Sequence, residues 1–345
     1  MKLITSAKKF VCWNKGPEYM TKRQTHFVSV IIPNRNQVKL LSKVLTALEK
    51  QDSAFTSYQV IVIDDGSTDG TVSFLNKFSQ KTKMDFNWLR LNAHNAGLAR
   101  NRGVLSAKGD LLIFLDADTI PQNNLVSGHL DFHLKRDFDN SVLMGAIQIS
   151  PDLDKPEQAR YYVYKLTGDH TGNHPVNWWY YRTANTSLKK ALFDQIGGFK
   201  TSLSALEDSE LAYRLSQKGV QFYYKASVGV VDDHIVSLQE YLEKGRKYGA
   251  SIATWYIQTP ELRHELARRY GVDAPVISRY KRIKYSIRNI VVNRYTIPII
   301  LRIGVAMRYM WRRLTRRFFI CVYRYYIRKE FNNTLQKFDR VLQIY

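Results

Sequence analysis

Leu111-Leu112-Ile113-Phe114-Leu115-Asp116-Ala117-Asp118 decides how this chain is read. Gly109-Asp110 precedes the five apolar residues and Pro121 follows shortly after, so they read as a fully buried strand. The two aspartates then fall where the strand ends. In open α/β sheets ligands bind at that edge. Two carboxylates one residue apart make a hard-oxygen site for Mg²⁺ or Mn²⁺, with waters and substrate phosphates completing the shell. Taken alone, the pair also fits a solvated Asp-rich turn, so its neighbours must decide.

Outward from this strand the same rhythm recurs. Residues 27–32 read as a strand broken by Pro33-Asn34-Arg35-Asn36. A helix then runs to about Lys50, with Val38, Leu41, Val44, Leu45 and Leu48 on one face. Residues 60–63 form a second strand, and Asp64-Asp65-Gly66-Ser67-Thr68-Asp69-Gly70 is its loop. That loop is no calcium loop, because Gly66 stands at its third position and no bidentate Glu is in register. Further elements are a helix over 71–78, a strand over 88–91 and a helix over 96–107 with Leu98, Val104 and Leu105 available for burial. Strands alternating with helices predict an α/β fold, a Rossmann-like and mostly parallel sheet covered on both faces.

Beyond residue 135 the pattern is less regular. A strand is expected over 141–149, a helix over 156–166, an aromatic then β-like stretch over 178–188, and a helix over 206–217. Short strands are expected at 221–224 and 228–231. The expected organisation is an extension over 1–25, a catalytic domain over 26–250 with a nucleotide-binding half (26–135) and an acceptor half (136–250), and a basic helical extension over 251–345.

Composition narrows the setting. Cys12 and Cys321 stand at opposite ends, which is neither a disulfide framework nor a metal-ligand spacing. Residues 1–26 contain no apolar stretch of signal-peptide length, and no run reaches the ~18 apolar residues of a spanning helix. A cytoplasmic location is expected. The net charge is +22, and residues 261–345 hold 20 Lys/Arg against 5 Asp/Glu. Such asymmetry calls for an acidic partner. Over 298–328, Ile300, Ile303, Met307, Trp311, Leu314, Phe318 and Val322 recur at three and four, with Arg302, Arg313, Arg316, Arg317, Arg324 and Arg328 opposite. A basic amphipathic helix of this kind lies on an anionic membrane surface, here the inner face of the cell membrane. The competing reading packs it on the catalytic domain. No nucleic-acid motif accompanies the charge, which disfavours nucleic acid.

Four runs, in order and spacing, resemble the family 2 glycosyltransferases with the GT-A fold. They are Val28-Ser29-Val30-Ile31-Ile32-Pro33, Val62-Ile63-Asp64-Asp65-Gly66-Ser67-Thr68-Asp69-Gly70-Thr71, Asn95-Ala96-Gly97-Leu98-Ala99-Arg100-Asn101 and Leu115-Asp116-Ala117-Asp118. Asn185-Thr186-Ser187-Leu188, Gly197-Gly198-Phe199 and Leu206-Glu207-Asp208-Ser209-Glu210-Leu211 look like the same family's acceptor-side motifs. The resemblance covers about residues 26–250.

It implies inverting transfer from a nucleotide-sugar, with UDP as the expected nucleotide, to a glycan or lipid-linked acceptor in surface polysaccharide or lipopolysaccharide synthesis. It implies a Mn²⁺ or Mg²⁺ ion on Asp118, with Asp116 beside it on metal, sugar or ribose. His234 is either a late metal ligand or a satisfied loop histidine. Asp64 or Asp65 would hold uracil or ribose, and the choice stays open. Pro33, Arg35, Asn95 and Gly97 fall on the nucleotide side. Arg100 either reaches base or diphosphate or is a solvated surface residue. Glu207 and Asp208 offer a general base, and the resemblance favours Asp208; helix-start carboxylates are also plain dipole partners. Trp178, Trp179 and Asn185 are acceptor-side candidates, the tryptophans either stacking on sugar or filling core. A sugar nucleotidyltransferase would want a Gly-rich, Lys-bearing loop after the first strand, which Pro33-Asn34-Arg35-Asn36 is not. Intact Asp116, Asp118 and Asp208 argue against a non-catalytic membrane- or nucleic-acid-binding protein on this fold.

Overall fold

Four parallel strands carry the first half of the chain. The structure is a computed structural model, and it describes residues 27–52, 57–134, 140–150, 171–234, 236–272, 283, 290–306 and 312–342. Strands β1 (Val28–Asn34), β2 (Tyr58–Asp65), β3 (Asp85–Leu91) and β4 (Leu111–Leu115) lie in the order β3-β2-β1-β4. Every residue of β4 is buried, as continuous apolar strands are when both faces are covered. Helices α1 (Val38–Leu48), α2 (Thr71–Lys81) and α4 (Leu125–His133) bury one face of the sheet. The other face packs against α3 (Ala96–Leu105), α5 (Lys190–Ile196) and α6 (Glu207–Gln217).

Two local expectations change here. β1 does not break at Pro33 but runs through it to Asn34. The β4 side of β1 ends its pairing at Ile31, so a residue lacking an N–H is tolerated beyond that point. In α3 only Val104 of the expected apolar trio is buried, while Leu98 and Leu105 face solvent. The helix instead lies on the sheet through Gly103, where a Cβ would come 2.7 Å from Ile63 Cδ1. A glycine contact leaves no apolar signal in a sequence.

The second half of the sheet is mixed. β8 (Asn185–Lys189) runs antiparallel between β4 and β6 (Ser141–Ile149), and β6 pairs in parallel with β9 (Gln221–Asp232). β5 (Thr119–Pro121) and β7 (Thr171–Val176) are antiparallel to β9. The two short strands expected at 221–224 and 228–231 are one strand whose register slips opposite Gly145/Ala146. Its length matters for the site. Thr119 pairs with Asp232, so the residues after β9 return to those after β4. The helix expected over 156–166 lies outside the described residues.

Ser237 opens α7 (Leu238–Gln258) with a capping box closed by Glu240. This helix runs unbroken through residue 250, where the sequence suggested a domain boundary. After it come α8 (Arg263–Tyr270), α9 (Ile297–Ala306) and α10 (Arg312–Leu342). α10 lies along α7. A Cβ at Gly249 would overlap the Ile327 carbonyl, and one at Gly245 would stand 2.9 Å from the Tyr323 ring. Tyr241 stacks on Tyr323 at 4.4 Å, and Phe319, Ile327 and Phe331 join Trp255 and Tyr256 in one core. Part of the face expected to enter lipid is therefore a packing face. Val322 is fully buried and Ile300 and Phe318 are half-buried, Ile303 is exposed, and Met307 and Trp311 lie outside the described residues. Among the described residues no helix is long and apolar enough to cross a membrane.

Candidate active site

The loops at the C-terminal ends of β1, β2 and β4 meet, and side chains of the β2 loop fix them. Asp65 accepts from the Ala93 and His94 amides at Oδ1 (2.7 and 2.9 Å) and from the Asn95 amide at Oδ2 (2.6 Å). Both its oxygens thus hold the turn into α3. Asp64 is fully buried with long contacts, to the Asn34 amide group and the Ser67 N–H, both 3.4 Å, and to Arg90 Nε at 3.9 Å. Asn36, held by Thr68 N–H, and His94 both adopt left-handed backbone. Gly66 is also left-handed, and a Cβ there would stand 2.6 Å from Asn92 Oδ1. Strain concentrated in one group of loops is a usual mark of a functional edge. Arg35 is exposed and Pro33 half-buried at this edge.

α3 joins this edge to the second half. Asn95 caps the helix through Leu98 N–H (2.9 Å), and its amide group donates to the Thr201 and Leu203 carbonyls. Asn101 brackets Phe199 at both N–H and carbonyl. Arg214 donates to the carbonyls of Ile196 and Gly198 while paired with buried Glu210. These contacts seat the Gly197-Gly198-Phe199 turn and hence the start of α6. Asn95 is a cap and clamp, which corrects its expected role on the nucleotide. Gly97 makes room: a Cβ there would lie 3.3 Å from Glu207 Cγ.

Arg100 is neither a surface residue nor open to a ligand. It is 4% exposed and bridges Asp116 Oδ1 through Nη2 and Glu207 Oε1 through Nη1, both at 2.8 Å. Burial pushes the Asp116 carboxyl up; Arg100 opposes this, and the charges of Asp118 and Asp208 add to it. Glu207 is raised in the same way by burial, opposed by Arg100 and reinforced by Asp208. The carboxylates of β4 and α6 therefore share one neighbourhood, with one guanidinium between them.

Leu206 is left-handed, and the chain turns there into α6. Asp208, next but one, is only partly buried. Its Oδ1 accepts from the Ser209 N–H (2.6 Å) and hydroxyl. Its other oxygen has no partner among the described residues, and no cation pairs with it. Glu207, locked to Arg100, is ill placed to take a proton.

On the β5 side, Asp118 Oδ2 accepts from Gln37 Nε2 (3.2 Å) and stands 3.3 Å from His234 Nδ1. Gln37 also reaches His234 Nδ1 at 2.8 Å. The pairing of β5 with β9 brings His234 there, and Asp233 N–H donates to the Asp118 carbonyl. Burial works against the Asp118 charge, but hydrogen bonds from His234 and Gln37 hold its carboxyl below the usual range. The bond to Asp118 in turn raises His234.

One acceptor-side expectation, Asn185, is corrected, and the tryptophans follow the packing one of their two readings. Asn185 is 1% exposed and fully used: its amide group donates to the Ala146 and Val228 carbonyls, and its Oδ1 meets His129 Nε2 at 2.8 Å. His129 Nδ1 meets the Ser187 hydroxyl at 2.7 Å, and burial lowers this imidazole to about 4, so it stays neutral. The network pins β8 against β4 and β6. A Cβ at Gly145 would overlap Asn185 and the Val228 carbonyl, which is why glycine stands there. Trp178 and Trp179 stack on each other at 3.9 Å, contact Tyr213 and Trp255, and carry Arg269 over the Trp179 ring. They are half-buried packing residues between the sheet and α7.

This geometry meets an independent match. The sequence profile described as glycosyl transferase family 2 fits residues 29–206, just over half of the chain. The chain belongs to this family. Poly(ribitol-phosphate) beta-N-acetylglucosaminyltransferase TarS of Staphylococcus aureus (strain Mu50 / ATCC 700699) is 36% identical over 90 residues, 26% of this chain and 16% of that one. Validoxylamine A glucosyltransferase of Streptomyces hygroscopicus subsp. jinggangensis is 27% identical over 224 residues, 56% of this chain and 52% of that one. The chain thus spans about half or less of these relatives. A mannosyltransferase of Pyrobaculum calidifontis, solved with GDP-Man and Mn²⁺, superposes with TM-score 0.53 at 15% identity over 86% of this chain and 85% of its own. TarS superposes with TM-score 0.50 at 19% identity over 87% and 54%. The likeness is one of fold, the GT-A fold.

On this family 2 framework the metal expectation can be tested on donors. Among the described residues no group of three His, Cys, Asp or Glu side chains is placed to hold a metal ion. Asp116 gives its Oδ1 to Arg100 and keeps its side chain about one-third exposed beside Asp118. Asp118 and His234 do converge, a carboxylate and an imidazole that suit Mn²⁺ when phosphate oxygens and water complete the shell. The donor set fits a divalent ion. Sequence reading missed Gln37 in this group, and an isolated glutamine gives no signal. Tyr181 lies close by: its fully buried hydroxyl has no hydrogen-bond partner among the described residues and lies in the field of Asp208, Arg100 and Glu207.

Proposed function

We propose that this family 2 chain is an inverting glycosyltransferase that moves a sugar from a nucleotide-sugar to a hydroxyl. One observation carries the reading. Of the four carboxylates that follow β4 and open α6, Asp116 and Glu207 are paired to Arg100 and Asp118 to His234, while Asp208 is partly open and, among the described residues, paired to no cation; its charge reaches Asp116. An acceptor hydroxyl needs a base as it attacks, and Asp208 is the group that takes its proton. The hydroxyl oxygen bonds to the anomeric carbon as the bond to the diphosphate breaks. A single displacement without a covalent nucleophile inverts that carbon.

Asp118 and His234 would hold a divalent ion, which when bound offsets charge on the departing phosphate oxygens. Gln37 orients both ligands. The strained loops of β1 and β2 form the floor for the nucleotide. Asp65 acts through the turn it holds, and Asp64, fully buried, acts through the Asn34 and Ser67 groups it meets at the same edge. A UDP-sugar donor is supported by TarS, a relative named for N-acetylglucosamine transfer and solved in complex with UDP-GlcNAc. The acceptor is read as a glycan or lipid-carried glycan, in keeping with the poly(ribitol-phosphate) in that relative's name. The reaction is placed at the cytoplasmic face of the membrane.

The metal part is tested by Asp118→Asn. Release of nucleoside diphosphate from a panel of nucleotide-sugars should require Mn²⁺ or Mg²⁺ in the parent and fall by about 10² or more in the variant, whose fold should persist. Full activity of the parent in EDTA would remove the ion from the mechanism.

A further inference from the structure

α9 is apolar almost all round, yet only one side of it is packed. Ile297 is buried with Val292 and Val322, and Gly304 lies against the Phe319 ring. These contacts fix the helix on α10 and prevent its rotation. Its outward side carries Ile299, Ile303 and Val305, exposed by 59%, 44% and 40%. The turn before it adds Ile290 (74%), Val291 (61%) and Tyr295 (69%). A helix apolar on all sides normally has cover on all sides, and clustered exposed aliphatics mark an interaction surface. Arg302 and exposed Arg294 are the only charges from Ile290 to Ala306.

The surrounding charge selects the occupant. Residues 274–329 contain fifteen Lys/Arg and no Asp/Glu in sequence; of those whose side chains are described, Arg294, Arg302, Arg324 and Lys329 are exposed and Arg328 is buried. A second copy docking here would bring this basic stretch against itself, which like-charge repulsion opposes. Nucleic acid would use the arginines but gains nothing from Ile299, Ile303 and Val305. An anionic lipid surface uses both: the aliphatic side enters the headgroup boundary while the basic residues meet lipid phosphates.

We propose that the outward side of α9 and the turn before it form a membrane-interface anchor for anionic lipid. This narrows the sequence expectation: Val322 packs inward, Ile303 keeps its expected place on the lipid side, and Ile299 joins it there. It stands apart from the transfer reaction, because vesicle binding requires no donor.

The test is co-sedimentation of the full chain with vesicles. The protein should pellet with phosphatidylglycerol vesicles at low salt, stay in the supernatant with phosphatidylcholine, and lose binding as salt shortens the screening length. Ile299→Ser with Ile303→Ser should weaken binding at low salt by roughly tenfold or more without shifting the thermal transition, since both residues are exposed. Ile290→Ser with Val291→Ser, in the turn, should act in the same direction. The proposal is overturned if the parent fails to pellet with phosphatidylglycerol, or if both double variants bind as the parent does. It is equally overturned if the parent is a lipid-free dimer that these variants dissociate, for then the face joins two copies of the chain.

Discussion

Asp208→Asn is expected to lower kcat for sugar transfer by about 10² or more, with donor affinity nearly unchanged. The amide keeps the size of the carboxylate and its acceptance from Ser209, and loses only the ability to take a proton. The fold should be intact, because the affected oxygen has no partner among the described residues. Glu207→Gln is the control. Glu207 is committed to Arg100, so its change should act mainly on stability. Transfer rates and donor binding measured on both variants separate the roles. If Glu207→Gln gives the kinetic loss and Asp208→Asn does not, the base is Glu207. If Asp208→Asn loses donor binding with kcat intact, Asp208 is a binding residue.

The second large effect is expected at Arg100. Removing one member of a buried ionic group leaves uncompensated charge, and such losses run to about 3–5 kcal/mol. Arg100→Met would leave Asp116 and Glu207 without their common partner, so the denaturant midpoint should fall steeply. Arg100→Lys should recover only part of the loss, because one ammonium cannot reproduce two separate guanidinium hydrogen bonds. Adding Glu207→Gln to Arg100→Met should recover stability, since one buried charge is then gone. An Arg100→Met protein as stable as its parent would show that both carboxyls are already neutral in the folded state.

Much of the nucleotide half was legible because its signals are local. A buried strand is a run of apolar residues, and the Asp pairs stand where those runs stop. The pairing of Asp118 with His234 was only half legible. Each residue could be named, but their meeting depends on β5 lying along the far end of β9, a pairing of three residues with no pattern of its own. Arg100 was misjudged because its surroundings are supplied by Asp116 and by Glu207, 107 positions away. Asn185 was misassigned because a polar residue in a motif was taken as facing a ligand. Here it serves the backbone of β6 and β9. In α10 the amphipathic pattern was real, but periodicity tells only that a face will be covered. The groove of Gly245 and Gly249 decides what covers it.

That groove also sets a schedule. Tyr323 and Ile327, which close on Gly245 and Gly249, follow them by 78 positions. At about 5–20 residues per second of synthesis, the partners of α7 emerge roughly 4–16 s after it. During that interval Tyr241, Trp255 and Tyr256 lack the cover of Phe319, Tyr323 and Phe331. Nascent chains halted before residue 312 should therefore bind more apolar dye or holdase chaperone than the released full chain, whose exposed apolar surface is that of α9 and the turn before it; equal binding by both would show that α7 finds its cover elsewhere. The sheet can finish folding while the ribosome is still at work. The helical layer must wait for the last helix, and in that window the nascent protein is most open to capture.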